Sequence, residues 1–338
     1  MNLFLHKNPI TLENGTTLSQ VEVAWQSFGR LLPDGSNVVW ICHALTANSD
    51  AVQWWKGLIG PGMAIDTDKF YVICANVIGS CYGSTGPLSI NPKNGQPYYH
   101  DFPFITIRDM VKIHDLLRLH LGIKKIRLLI GGSLGGQQAL EWAIEQPQVT
   151  EQLILIATNA KHSPWGIAFN EAQRMAIEVD PTWALQNQQA GADGLKAARA
   201  IALLSYRNYD AYHETQKEKT DEIYDQFKAS GYQQYQGLKL VNRFSAFSYW
   251  TLSKAMDSHN VGRKRGGVER ALTQVKAQTQ IIGISSDVLF PFEEQQFIAR
   301  HIPGSQIEII PSRWGHDGFL VEIEKLSTIL NQFIIKNK

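Results

Sequence analysis

Cysteine is scarce in this 338-residue chain: Cys42, Cys74 and Cys81 are all it has. An odd, sparse set without paired ligand spacing argues against a disulfide framework and against a cysteine-based metal cluster. Long apolar runs are missing too, since no stretch approaches the roughly 18 residues of a membrane span. The first residues, Met1-Asn2-Leu3-Phe4-Leu5-His6-Lys7, lack a basic start followed by a long apolar run, so no secretory leader is expected. Nor is there an excess of one charge. With 32 basic and 31 acidic residues and a net charge of +1, overall electrostatics give no reason to expect nucleic acid or a membrane as partner. No internal repeat or low-complexity tract is visible. A reducing, cytoplasmic setting is the simplest expectation. Hydrophobic residues at 44% and charged residues at 19% fit a globular protein, long enough for one large domain with or without an insertion.

Short apolar runs alternate with helical patterns along the first half. Strands are expected at Val21–Ala24, Val38–Cys42, Tyr71–Ala75, Ile126–Ile130 and Leu153–Ala157, and again at Gln280–Ile284 and Gln306–Ile310. Several are nearly unbroken apolar runs, as strands buried on both faces of a parallel sheet require. Helices are expected at Ile107–Leu121, Gln137–Glu145 and Glu322–Ile335. The alternation predicts an α/β architecture, a mostly parallel doubly wound sheet. From Lys161 to Gly267 the rhythm breaks into helices and loops without a convincing strand. Neither flanking part completes a sheet alone, so residues 1–160 and 268–338 are read as one core and 161–267 as a helical lid inserted into it.

The strongest local signal follows the strand Ile126–Ile130. The turn Gly131-Gly132-Ser133-Leu134-Gly135-Gly136 leads straight into the helical run Gln137-Gln138-Ala139-Leu140. A G-x-S-x-G pentapeptide alone is weak; strand before and helix after mark the nucleophile turn of an α/β-hydrolase fold. A serine on so tight a turn sits in a strained backbone, and its neighbours must lack bulk. A glycine-rich turn could instead serve packing or phosphate binding, but the spacing matches neither a P-loop nor a dinucleotide fingerprint.

In this fold the acid and then the histidine follow the serine along the chain. His162, His213 and His259 fall in the insertion and His301 ends a helix, whereas His316 lies in the loop after the last strand, where active-site residues collect. Asp287 holds the corresponding place after Gln280–Ile284 and would orient the imidazole; alone, an Asp ahead of a helix near Pro291 fits a capping role equally. The oxyanion donors are expected to be the backbone amides of Leu134, after the nucleophile, and Leu45, in the early loop Cys42-His43-Ala44-Leu45-Thr46. His43 is assigned to ordering that loop rather than to catalysis.

A wider set of residues resembles the homoserine O-acetyltransferases. His43-Ala44-Leu45-Thr46, Gly83-Ser84-Thr85-Gly86-Pro87, Asp101-Phe102-Pro103, Thr106-Ile107-Arg108-Asp109-Met110, Gly131–Gly136 with Gln138-Ala139-Leu140-Glu141-Trp142, and Gly315-His316-Asp317 carry the likeness, joined in the insertion by Ala168-Phe169-Asn170-Glu171, Gln173-Arg174 and Tyr206-Arg207. The matches run from about residue 20 to 320. The resemblance implies acetyl transfer from acetyl-CoA, a co-substrate, to the hydroxyl of L-homoserine in methionine biosynthesis. It implies no bound cofactor or metal, and a homodimer. It also implies that Arg199, assisted by Tyr206, binds the acceptor carboxylate, and that Asp317 contacts its ammonium. A guanidinium suits bidentate carboxylate recognition. The chain departs from the family pattern at Ala47-Asn48 and at Ser80, in loops expected to border the acyl site. Relatives on this scaffold use succinyl-CoA or serine, and a carboxylester hydrolase or thioesterase would carry the same triad. A binding protein without activity would usually have lost a triad member.

Overall fold

The computed structural model describes residues 1–336. Its centre is an eight-stranded sheet built from β1 (Asn2–His6), β2 (Val21–Phe28), β3 (Val38–Cys42), β4 (Tyr71–Ala75), β5 (Ile126–Gly132), β6 (Thr150–Ile156), β7 (Gln278–Ile284) and β8 (Gln306–Ile310). The strand order is β1-β2-β4-β3-β5-β6-β7-β8. β2 runs antiparallel to both its neighbours, and every pairing from β4 to β8 is parallel. The mostly parallel sheet expected from the strand rhythm is therefore present. Each expected strand appears, β2 extending four residues further than its apolar pattern; β1 is an addition the alternation did not mark.

Unbroken apolar runs arise because alternate residues of one strand serve two cores. In β3, Trp40 and Cys42 face a layer containing α1 (Ile107–His120) and α2 (Leu134–Glu145). Val39 and Ile41 face the other layer with Leu326, Ile329 and Leu330 of the C-terminal helix Ile323–Lys336. Trp40 and Trp142 meet edge to face at 5.0 Å on the first side, and neither is exposed. β8 departs from this pattern: four of its five residues are exposed, because it is the edge of the sheet and covered on fewer sides. The thiols of Cys42 and Cys74 are free and buried in the cores, where loss of solvent pushes both well above the usual thiol range.

Between β6 and β7 the chain forms α3 (Pro164–Glu178), α4 (Ala192–Tyr206), α5 (Tyr209–Gln216), α6 (Lys228–Val241) and α7 (Ala246–Asp257). Among the described residues this segment adds no strand to the sheet. Its two ends are tied together by an antiparallel bridge between Lys161 and Asn260. A buried polar cluster fastens α3 to α7: Arg174 is paired with Asp257 at 2.5 Å and donates to Ser253, while Asn170 donates to Asp257 at 2.8 Å.

Candidate active site

Ser133 stands between β5 and α2 with φ 57° and ψ −128°. Such a conformation costs a non-glycine residue on the order of 1–3 kcal/mol and persists only when its surroundings enforce it. They do so here. The Ser133 amide donates to the Ile156 carbonyl of β6 at 3.0 Å, and the Ser133 carbonyl accepts from Gly136 N–H, Gln137 N–H and the Thr158 hydroxyl. Glycine at 135 is a steric requirement: a Cβ there would lie 2.1 Å from the Cys42 carbonyl oxygen. That close approach brings the end of β3 against the first turn of α2, so the two candidate oxyanion amides come from adjacent strands. Leu134 opens the helix, where an amide has no intrahelical acceptor.

The loop carrying Leu45 is ordered by His43, which is fully buried. Its Nε2 accepts from Val77 N–H at 3.0 Å, so Nδ1 carries the proton and donates to the Ala44 carbonyl at 2.9 Å. Burial lowers the imidazole to about 4, which keeps it neutral. The Ala44 carbonyl also accepts from Ala47 N–H. In a trans peptide the N–H of Leu45 points opposite to that carbonyl, so the two donors gripping Ala44 set the direction of the Leu45 amide.

At the neighbouring strand ends, His316 Nδ1 and Asp287 Oδ2 are 2.7 Å apart and both residues are buried. The other oxygen of Asp287 accepts from Leu289 N–H at 2.8 Å and Phe290 N–H at 2.9 Å. Capping and orienting are thus the work of one carboxylate, with one oxygen for each. Aromatic rings of Phe290, Phe319 and Tyr206 surround the imidazole, with centroids at 5.1, 5.3 and 5.8 Å. Of the other histidines weighed from sequence, His162 and His259 are buried and lowered by that burial to about 4 and about 3; His162 meets the Phe290 ring at 5.8 Å, and His259 Nε2 lies 3.1 Å from the Asn159 carbonyl.

Ser133, His316, Leu45, Arg199, Tyr206 and Asp317 line a single cleft of about 480 Å³. Arg199 lies over the Tyr206 ring, its guanidinium carbon 5.3 Å from the centroid. Asp317 is ion-paired with Arg207 Nε at 3.0 Å, a partner that nothing in the sequence pattern connects to it. Burial pushes the Asp317 carboxyl up, and the guanidiniums of Arg207 and then Arg199 oppose that rise. Gly315 explains how the histidine loop meets the helical segment. It has φ 65°, and a Cβ there would lie 2.9 Å from the Tyr206 carbonyl oxygen, so the loop packs directly on the end of α4. Of the two departures from the family pattern, Ala47 and Asn48 line the cleft. Ser80 does not belong to its lining: it is buried, and its hydroxyl accepts from Tyr82 N–H at 3.2 Å. Trp54, Lys239 and Arg243 are among the further wall residues and were not singled out from the sequence, because they sit in short or polar segments without a motif. Among the described residues no group of three His, Cys, Asp or Glu side chains is placed to hold a metal ion.

Residues 37–323 match the family model described as alpha/beta hydrolase fold. A homoserine O-acetyltransferase from Cyclobacterium marinum is 49% identical over 99% of this chain and 95% of its own length. Among solved structures, the homoserine O-acetyltransferase from Bacillus anthracis superposes with a TM-score of 0.91 at 26% identity, covering 98% of this chain and 96% of that one. Esterase E22 superposes with a TM-score of 0.90 at 26% identity, over 98% of this chain and 99% of that one. The strand order, the serine turn and an identity of nearly one half along the whole chain place the protein in the homoserine O-acetyltransferase family, within the α/β hydrolase fold.

Proposed function

We propose that the protein transfers an acetyl group from acetyl-CoA to the hydroxyl of L-homoserine by way of an acyl-Ser133 intermediate, a step of methionine biosynthesis. His316 takes the Ser133 proton, Ser133 attacks the thioester, and the amides of Leu45 and Leu134 stabilise the oxyanion; the C–S bond then breaks and His316 hands its proton to the departing thiolate, releasing CoA. Asp287 holds the imidazole with its Nε2 free to act as base. Homoserine then enters, His316 removes its hydroxyl proton, the homoserine oxygen bonds to the acyl carbon, and the proton passes to Ser133 Oγ as the acyl–serine bond breaks. Arg199, assisted by Tyr206, takes the acceptor carboxylate and Asp317 its ammonium. The observation that carries the reading is the presence of Arg199 and Asp317 in the same cleft as Ser133, a cation and a carboxylate suited to a zwitterion. The helical segment 161–267 acts as a lid over the sheet edge, limiting the access of water to the acyl-enzyme.

A carboxylester hydrolase is the second reading, and the likeness to esterase E22 is what favours it. The two separate in one assay. Thiol release from acetyl-CoA is expected to rise at least about tenfold on adding homoserine, as a two-step transfer with a slow hydrolytic leak requires. Equal rates with and without homoserine would assign a hydrolase. Crossing acetyl-CoA and succinyl-CoA with homoserine and serine, and weighing the products, fixes donor and acceptor.

Because burial holds Asp317 above the usual carboxylate range, its charged form is lost as pH falls at higher values than for an ordinary aspartate. The KM for homoserine is therefore expected to climb with falling pH, beginning above the usual aspartate value of about 4. Asp317→Asn should raise KM about 10- to 100-fold, the worth of one charge-assisted hydrogen bond, and flatten that pH dependence. A KM that still climbs in the variant would place the ammonium elsewhere.

The proposed enzyme is a cytoplasmic homodimer joined through its helical segment. Tyr235 and Leu238, both on α6, are 60% and 51% exposed, which supports an apolar contact there. Light scattering of the purified protein should give twice the chain mass, and Leu238→Glu should reduce it. A monomeric wild type would end that part of the reading.

A further inference from the structure

The loop of Leu45 is held from the sheet side by His43, Val77 and Gln138, whose side-chain amide donates to the His43 carbonyl at 3.1 Å. A second grip comes from the helical segment. Arg243, in the connection between α6 and α7, donates through Nη1 to the Thr46 carbonyl at 2.5 Å and to the Tyr82 phenol oxygen at 2.8 Å. Its Nη2 reaches the Thr46 hydroxyl at 3.4 Å. Thr46 directly follows the residue whose amide is assigned to the oxyanion.

The guanidinium is delivered to this place by a rigid base. Phe244, next in the chain, is buried and meets the Tyr82 ring edge to face at 5.6 Å. The Phe244 amide is bonded to the Leu240 carbonyl at the end of α6. Tyr82 itself is anchored to the core, because its carbonyl accepts from the Asn76 side chain at 2.7 Å and Asn76 also accepts from Ser49 N–H. Asn76 therefore ties Tyr82 to Ser49, three residues beyond Thr46. A planar fork with several fixed donors can hold two acceptors at once, which a lysine ammonium on a flexible stem does less well.

We infer that Arg243 is a positioning residue for the reaction: by gripping Thr46 and Tyr82 together, it fixes the Leu45 amide and makes a formed oxyanion hole depend on the docked helical segment. The inference rests on the proposed acyl-Ser133 route, with Leu45 as an oxyanion donor. Displacing such a donor by about 1 Å is enough to cost about 100-fold in rate.

The test compares wild type, Arg243→Ala, Arg243→Lys and Tyr82→Phe with two acyl donors, acetyl-CoA and p-nitrophenyl acetate. The second donor has no phosphate for a cation to bind. Arg243→Ala is expected to lower the acylation rate about 30- to 100-fold with both donors, while the homoserine KM stays within about threefold. Added guanidinium chloride at tens of millimolar should restore part of the loss, and Arg243→Lys should fall between. Tyr82→Phe, which removes only one acceptor, should lose about three- to tenfold in acylation rate and keeps the test alive if Arg243→Ala does not fold. Acylation within twofold of wild type in a folded Arg243→Ala would overturn the inference. So would a loss confined to acetyl-CoA, which would make the arginine a donor-binding residue instead. Failure of the underlying reading looks different, since it would appear in wild type as acetyl transfer without labelling of Ser133.

Discussion

Ser133→Ala is expected to lower acetyl transfer by about 10⁴- to 10⁶-fold, the range seen when the nucleophile of a serine triad is removed. Alanine suits the site sterically, because the strained turn is held by backbone groups: the Ser133 amide to Ile156 and the Ser133 carbonyl to Gly136, Gln137 and Thr158. None of these bonds uses the Ser133 hydroxyl. The variant should therefore melt within about 1 kcal/mol of wild type, and the missing rate can be ascribed to chemistry. Incubation with acetyl-CoA and digestion should give an acetylated Ser133 peptide from wild type and none from the variant. Retained turnover in the variant would dispose of the acyl-enzyme route.

Asp287→Asn is expected to cost about 10⁴-fold in kcat, and the geometry supplies the reason. One Asp287 oxygen accepts from two backbone amides, Leu289 and Phe290, while the other faces Nδ1 of His316. In asparagine the carbonyl oxygen must stay with the two N–H donors, since an amide NH₂ would oppose them. The NH₂ is then turned toward His316, where it can only donate. Nδ1 must become the acceptor, the proton moves to Nε2, and the imidazole loses the lone pair that would deprotonate Ser133. The local turn should survive, because its two hydrogen bonds are kept. Nitrogen-15 spectra of the histidine should report the change of tautomer, and an unchanged tautomer with unchanged kcat would remove Asp287 from the mechanism.

Much of this site is legible in sequence because its constraints are local. The turn at Ser133 needs small neighbours, and the carboxyl end of a parallel strand is a place that apolar runs reveal on their own. Asp287 and His316, 29 residues apart, could be chosen from strand ends taken with the serine–acid–histidine order of the fold, and the structure brings them to 2.7 Å. β1 escaped notice for the same kind of reason. Its pattern of one buried residue in five is that of an edge strand, without the apolar run of a strand covered on both faces. Arg199, Tyr206 and Asp317 were marked by family resemblance and not by any periodicity; for Arg199 and Tyr206 the reason is that a polar residue on a helix within a helical segment looks the same whether it faces solvent or a cleft.

By itself the sequence determined the alternation of buried strands and helices, a turn shaped to present a serine, and the order of the proposed nucleophile, acid and base along the chain. These follow from backbone sterics and from burial on two faces, both of which act over a few residues. Only the tertiary structure decided the pairings between distant segments: Arg207 beside Asp317, Arg243 clasping Thr46, and the two oxygens of Asp287 divided between a turn and an imidazole. Such contacts depend on where separate elements come to rest against one another. No spacing along the chain encodes that, because it is set by how the helical segment and the loops at the strand ends pack together.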